Sequence, residues 1–390
     1  MDLINSIIPK KIDFSSDLKK HIYNSNIPFS TFNFLVIGGA GTIGTNYIKC
    51  ILKLKPKKIV VVDTNENSLT ELTRDLRSSN LLDYDSKFYT YPVNLLHKVF
   101  DKIFLSDDFD VVANFAAHKH VRTEKDIYSI EALVDNNIFG AIKLMRLCLK
   151  RPPKYFFSVS TDKAANPVNV MGASKLIVEK VILSMKNNFR VTTARFANVA
   201  FSNGSLLEGF INRINKEQPL SCPSNIKRFF VTPEQSGEIC VLSTFLGETG
   251  NIFFPKLDFY EDQIFFKKIA IDFLKANNYK PYYAKSEKDA KDFKISNNLY
   301  PIYFFKSETS GEKTYEEFYT EDEDYDLSLY DSIGFINSKD VLLDINLLEN
   351  DFNVLFKKKL IYKSDIITLF KKYVSNFRHI ETGKSLDQKM

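Results

Sequence analysis

Cysteine is scarce in this chain, and the little there is carries no pattern. Cys50, Cys148, Cys222 and Cys240 are the four cysteines in 390 residues, and no two form a C-x-x-C. That spacing excludes a zinc ribbon and a disulfide-dense scaffold, and no metal site is expected. Cys50 and Cys148 fall in apolar helical patterns and read as reduced core residues, which fits a cytoplasmic location. Long apolar runs are missing too. No stretch approaches the ~18 uninterrupted apolar residues of a membrane span, and the opening MDLINSIIPKKIDFSSDLKK lacks the apolar run of a signal peptide. Neither sign of charge dominates: 53 Lys+Arg against 48 Asp+Glu leaves a net +5. With no basic stripe interleaved with aromatics, nucleic acid is not an expected partner, while an anionic small substrate would not be repelled. Internal repeats are absent.

What is present is a regular alternation of short apolar runs and helical patterns. Phe34–Ile37, Lys58–Val62, Phe109–Phe115, Tyr155–Val159 and Val191–Phe196 read as strands. Thr42–Leu54, Leu69–Arg77, Ala132–Lys150 and Met171–Lys186 read as helices. The alternation predicts an α/β fold of Rossmann type, a doubly wound parallel sheet covered on both faces. The expected organisation is an N-terminal arm over 1–30, a dinucleotide-binding domain over 31–200 and a smaller α/β substrate lobe over 201–330, interleaved with the core. A C-terminal extension over 331–390 has no assigned role. Ile264–Ala276 reads as a further helix, 277–305 as irregular chain, and the acidic run from Glu316 to Asp326 as a solvated loop.

GGAGTIG, Gly38 to Gly44, sits between a predicted strand and a predicted helix. Its fingerprint glycines are Gly39, Gly41 and Gly44; with Thr42 and Ile43 they would cradle a pyrophosphate at a helix N-terminus. Asp63 ends the second strand. A carboxylate there accepts hydrogen bonds from the adenosine ribose and repels a 2′-phosphate, so NAD is favoured over NADP. NFAAHKH, Asn114 to His120, follows the fourth strand: Ala116 and Ala117 are small enough to lie against a cofactor, and Lys119 and His120 would point toward the ligand crevice.

The most informative stretch is SVSTDKAANPVNVMGASKLIVE, Ser158 to Glu179. It sets Thr161, Asp162 and Lys163 side by side, and places Met171 four residues before Lys175. A tyrosine at the Met171 position would complete the Tyr-x-x-x-Lys pair of a dehydrogenase. A thioether cannot exchange a proton, so the acid and the amine at Asp162 and Lys163 point to elimination chemistry.

With these pieces in order, the chain resembles the extended short-chain dehydrogenase/reductases, and within them the nucleotide-sugar 4,6-dehydratases of the polysaccharide-biosynthesis (CapD/PglF-like) group. The resemblance rests on GGAGTIG, NFAAHKHV, NNIFGA, STDKAANPVNVMGASK, RFANV, KRFFVTPEQSGE and SGEKTYEEF, and covers roughly residues 14–320. A methionine for the tyrosine is itself typical of one branch of that group. The resemblance implies tightly bound NAD, a UDP-N-acetylglucosamine-like substrate and a 4-keto-6-deoxy product, in a short soluble form without membrane spans. It implies Asp162 as the acid at C6, Lys163 as the base at C5 and Lys175 on the nicotinamide ribose. Lys163 would act as a base through a pKa lowered by burial, by Lys175 and by the oxidised nicotinamide. Asn198 and Arg228 are expected substrate contacts, Asn137 a support for the site, and Glu312 and Lys313 a closure of the pocket. A homodimer through the helices Ala132–Lys150 and Met171–Lys186, or a higher homo-oligomer, is also implied.

Three departures stand out. The Gly-Asp pair expected after the third strand is Tyr91-Pro92; the Arg-Pro-Gly-Glu-Lys motif reads Thr309-Ser310-Gly311-Glu312-Lys313; and the glycine of RFGNV is Ala197. With Met171 unable to take the C4 hydroxyl proton, Thr161, a water relayed by Lys175, or Asp162 in a double role must do so. The rival functions are a dehydratase that inverts C5, a nucleotide-sugar 4-epimerase, and a non-catalytic NAD-binding scaffold.

Overall fold

The computed structural model describes residues 4, 7–8, 12–83, 86–296 and 298–384. The first parallel strands are β1 (Asn33–Ile37), β2 (Lys58–Asp63), β3 (Phe88–Pro92), β4 (Val111–Asn114), β5 (Tyr155–Val159) and β6 (Val191–Ala194). The helices between them are α1 (Thr42–Leu52), α2 (Glu66–Ser78), α3 (Lys98–Leu105), α4 (Ile127–Val134), α5 (Gly140–Lys150) and α6 (Val170–Leu183). In space the strands run 3-2-1-4-5-6, with crossovers to either side of β1. That order opens a crevice beyond the strand ends where β1 meets β4.

Side chains alternate across the sheet with period two. Phe34 and Val36 of β1 enter one apolar cluster, with Tyr47 and Ile48 of α1. Leu35 and Ile37 enter the other, with Leu133 of α4 and Leu144 of α5. Both faces are therefore covered, as the near-continuous apolar strands require.

Beyond residue 200 the chain leaves and re-enters this sheet. After α7 (Leu206–Asn215), β7 (Leu220–Pro223) and α8 (Pro233–Phe245), strand β8 (Asn251–Pro255) pairs parallel with β6. The segment 277–305, expected to be irregular, contains two strands that follow α9 (Phe266–Ala276). These are β9 (Lys280–Ala284) and β10 (Leu299–Phe305), which join β7 in a separate three-stranded parallel sheet. The Lys, Asn and Tyr content masked them, because these strands face solvent on one side. Then β11 (Tyr325–Asp326) and β12 (Ile333–Asn337) close the large sheet at nine strands, with β12 antiparallel to β8.

The chain's last helices, α10 (Ile345–Phe356) and α11 (Lys363–Tyr373), lie on the same side as α5 and α6. Leu348, Phe352, Ile366 and Phe370 are fully buried there. Arg146 of α5 pairs with Glu349 at 2.7 Å, and Lys180 of α6 donates to the Tyr373 carbonyl at 2.7 Å. Helix pairing between copies through α5 and α6 thus meets a face that the chain already covers in part. The end of the tail is held as well: Arg378 and Ile380 donate their backbone N–H groups to the Pro167 and Val168 carbonyls. Among the described residues no helix is long and apolar enough to cross a membrane, and no cluster of His, Cys, Asp or Glu could hold a metal ion.

Candidate active site

The turn from β1 into α1 is built around glycine. Gly38 has φ +71, and a Cβ there would stand 2.5 Å from the Ala116 nitrogen. The turn can therefore lie against the Ala116–Ala117 segment only if this residue is glycine. Gly39 and Gly44 are buried, while Gly41, Thr42 and Ile43 are partly open. Gly41 is the α1 N-cap and offers no side-chain acceptor to the first helical N–H groups. Such a terminus attracts a phosphate anion. Asp63, at the end of β2, accepts from the Ala40 nitrogen at 3.1 Å and the Asn65 nitrogen at 3.0 Å. Its carboxylate is thus fixed beside the glycine turn, and the residues present fit NAD.

Asn137 lies in a π-helical turn, Asp135–Phe139, between α4 and α5. Its amide brackets His118, accepting from the backbone N–H at 2.8 Å and donating to the carbonyl at 3.0 Å. It also donates to Ser174 Oγ of α6 at 3.2 Å. One side chain in a locally widened helix thereby fixes both the NFAAHKH segment and α6. Lys119 turns to a different group: its Nζ donates to the Asn203 carbonyl at 2.8 Å, and the Asn203 nitrogen donates to Thr42 Oγ1 at 3.0 Å, while the His120 ring lies against Gly204, where a Cβ would stand 3.0 Å from Nε2. The loop at 203 thus bridges the α1 N-terminus and Lys119.

β5 ends at Val159, and a single 3-10 turn, Asp162–Ala164, follows. On a continuing strand Asp162 and Lys163 would face opposite ways; the turn brings them together. Lys163 Nζ donates to Asp162 Oδ1 at 3.0 Å, and Thr161 Oγ1 donates to the same oxygen at 2.8 Å. Asp162 Oδ2 is buried without a hydrogen-bond partner among the described residues. The turn is braced by the start of α6, where a Cβ on Gly172 would sit 2.5 Å from the Lys163 carbonyl oxygen. Asn169 caps α6 by accepting from the Gly172 nitrogen, and donates to the Gly311 carbonyl, both at 2.7 Å. The Ser-Gly-Glu-Lys segment is thereby tied to the Asp162–Ala164 turn.

Met171 is buried in the apolar cluster on the α5–α6 side. Lys175, one turn on, donates to the Val159 carbonyl at 2.7 Å. Burial lowers its pKa to about 8, with Glu179 opposing the shift. Lys163 behaves in the opposite way. Burial works against its charge, but Asp162 and then Glu316 outweigh it, so its pKa is raised. The expectation of a lowered Lys163 pKa is corrected on this point: Lys163 lies between two carboxylates.

The second carboxylate is the residue that sequence reasoning missed. Glu316 heads the acidic run expected to be a solvated loop, yet it is only 2% exposed. Its Oε1 lies 3.6 Å from Lys163 Nζ and 3.6 Å from Arg228 Nη2, which is also 3.7 Å from Glu312. Arg228 is buried and also donates to the Lys227 carbonyl at 2.7 Å. Asn198 is partly open; its backbone N–H donates to the Phe229 carbonyl at 3.0 Å. Glu323, in the same run, reaches Arg195 at 2.8 Å. The run reads as solvated from its charge density, and Glu321, Asp322 and Asp324 are exposed; the return of the chain past β10 buries only its start, at Glu316 and Phe318.

The chain matches the model of a family described as polysaccharide biosynthesis protein over residues 34–338. It belongs to that family. An uncharacterized membrane protein of Methanocaldococcus jannaschii is 30% identical over 75% of this chain and 82% of its own length. A UDP-N-acetylglucosamine 4,6-dehydratase (inverting) of Campylobacter jejuni is 33% identical over 59% of this chain and 68% of its own. A UDP-glucose 4-epimerase of Rickettsia bellii is 31% identical over 57% of this chain and 65% of its own. Among solved structures, Pen from Bacillus thuringiensis aligns with a TM-score of 0.65 at 23% identity, covering 88% of this chain and 98% of that one. That likeness supports the Rossmann-type fold.

Proposed function

We propose that this chain is an NAD-dependent nucleotide-sugar 4,6-dehydratase acting on a UDP-N-acetylglucosamine-like sugar. The observation that carries the reading is the Thr161–Asp162–Lys163 cluster, a carboxylate and an amine-bearing side chain 3.0 Å apart, in a chain whose usual tyrosine position is the buried Met171. The name of the Campylobacter jejuni relative supports it.

NAD, when bound, supplies a hydride acceptor for C4 and a hydride donor for C6. The α1 N-terminus and its glycine turn hold the pyrophosphate, Asp63 the adenosine ribose, and Lys175 the nicotinamide ribose. Thr161 takes the C4 hydroxyl proton and passes its own to Asp162 Oδ1, along the 2.8 Å hydrogen bond. Asp162, now a neutral acid, protonates the departing C6 oxygen. Lys163, as an amine, removes the C5 proton that the C4 ketone has acidified, and later returns a proton to C5. The net change is the loss of one water. General acid and base roles of this kind are each worth about 10²- to 10⁴-fold in rate.

A 4-epimerase, the activity named for the Rickettsia relative, needs a reversible acid–base group at C4, where this chain has Met171. Incubating the NAD-loaded protein with UDP-N-acetylglucosamine and weighing the product by mass spectrometry tests the reading. Loss of one water supports dehydration. An unchanged mass with an altered C4 configuration overturns it in favour of epimerisation, and no turnover of any nucleotide sugar supports a scaffold. Proton NMR of the product reports whether C5 is inverted.

A further inference from the structure

Lys163 can accept the C5 proton only as an amine, yet in the free protein it is flanked by Asp162 at 3.0 Å and Glu316 at 3.6 Å. Two carboxylates around one ammonium hold its proton in place. That proton must leave before C5 chemistry, and it cannot go to Asp162, which receives the C4 proton in the reading above. We propose that Glu316 is the proton store of the site: it takes the proton of Lys163 when substrate covers the cluster, and returns it when product leaves. The proposal rests on the dehydratase reading.

The geometry favours this carboxylate. Glu316 is 2% exposed, and its Oε1 faces both Lys163 and the Arg228 guanidinium. Its Oε2 is buried with no hydrogen-bond partner among the described residues. The proton passes from Nζ to Oε1, the oxygen that faces it, and rotation of the carboxyl sets it on the side where Oε2 has no contact to lose, leaving the unprotonated oxygen to Arg228. The groups facing the pair are Asp162, Arg228 and, more distantly, Lys313; burial and Asp162 favour the protonated carboxyl, whereas Lys163, Arg228 and Lys313 oppose it. The transfer is balanced: ammonium and carboxylate become amine and carboxylic acid. It removes two opposite charges from a site about to lose its water, and burial favours the neutral pair. Glu316 touches Lys163 and is here a positioning residue for the proton, acting through the lysine.

The test is the pH dependence of kcat for dehydration of UDP-N-acetylglucosamine by the NAD-loaded full chain. The wild type is expected to be flat from about pH 7 to 9. Glu316→Gln is expected to fall about 100-fold at pH 7 and to recover about ten-fold per pH unit, because solvent must then deprotonate Lys163. Glu316→Asp, which keeps the carboxyl group, is expected to be slower with a flat profile. A Glu316→Gln rate within about three-fold of wild type, or one depressed equally at every pH, overturns the proposal. If Glu316→Gln does not retain NAD, a sloping profile in Glu316→Asp overturns it as well. A wild-type chain that does not dehydrate the sugar overturns the underlying reading and this proposal with it; an active wild type with an insensitive Glu316→Gln overturns the proposal alone.

Discussion

Arg195 and Glu179 meet in the interior, Nη2 to Oε2 at 2.9 Å and Nε to Oε1 at 3.1 Å, and both side chains are almost wholly buried. Glu179 also accepts from Ser160 Oγ at 2.6 Å, and Arg195 binds Glu323 at 2.8 Å on its far side. The pair therefore joins the end of β5, helix α6 and the acidic segment behind the site. Removing Arg195 strands Glu179 in low dielectric with only the Ser160 hydroxyl, whereas Arg195 without Glu179 keeps Glu323. Arg195→Met is expected to cost about 3–5 kcal/mol, measured by chemical denaturation, and Glu179→Ala to cost less.

Lys175 allows a signed pH prediction. Its folded pKa of about 8 lies below its ordinary value of 10.5. Between those values the unfolded chain binds more protons, so the apo protein gains stability as pH rises from about 8 to 10.5. Below 8 the penalty of a buried ammonium is present in full. Lys175→Met is expected to raise stability at pH 7 by about 1–3 kcal/mol, to flatten this part of the stability profile, and to abolish turnover. A melt series across pH on apo wild type and variant checks all three.

Thr161→Val and Asp162→Asn separate the proton route into steps. If Thr161 carries the C4 proton, Thr161→Val suppresses the transient absorbance of reduced cofactor after mixing with substrate. Asp162→Asn is expected to lower dehydration by about 10²- to 10⁴-fold. Equal, undiminished dehydration in both variants would remove this cluster from the chemistry.

Asp63 reads the adenosine ribose in the proposed complex. Asp63→Ser is expected to weaken NAD binding by about ten-fold, about 1.4 kcal/mol, and to narrow its preference over NADP, measured by titration of the apo protein.

Asn169 holds two elements with one side chain. Asn169→Ala removes the cap of α6 and the bond to the Gly311 carbonyl, at an expected cost of about 1–2 kcal/mol. The substrate KM is expected to rise more than the NAD Kd, since the loosened segment borders the Asp162–Ala164 turn of the proposed site.

Strands β1, β2, β4, β5 and β6 and the glycine turn are legible in the sequence because their signals are local, whereas β3, half exposed and rich in tyrosine, is not among the strands read. An apolar run followed by G-x-G-x-x-G and a helical pattern needs no distant partner. Asp162 and Lys163 are visible as neighbours, but their common orientation depends on the 3-10 turn that follows Val159. Glu316 is invisible because its burial depends on Arg228, which lies in a distant part of the chain, and its own surroundings are acidic. The strands β9 and β10 are hidden for a related reason: only their pairing with β7 makes strands of a polar, tyrosine-rich segment. Similarly, nothing near His379 in the sequence announces Glu124, which it meets at 2.8 Å.

That contact belongs to a clasp made by the far end of the described chain. Glu124 accepts the Val170 N–H at the head of α6, and His379 closes on the other carboxylate oxygen. Nearby, the Ile380 carbonyl accepts from the Gly311 nitrogen, and Ser310 Oγ donates to Glu381 at 2.7 Å. The two loops that frame the Asp162–Ala164 turn are thus clasped from behind by residues 378–384. Strands β1–β6 and the glycine turn all lie before residue 195, but α1 is covered by α8, where Gly237 meets Asn46, and the loops at 124, 167–170 and 310–311 are fastened by residues as far along as 384. Shortening the chain at its far end therefore loosens a site whose conspicuous motifs all lie far earlier in the sequence, at Gly38–Gly44 and Ser158–Glu179.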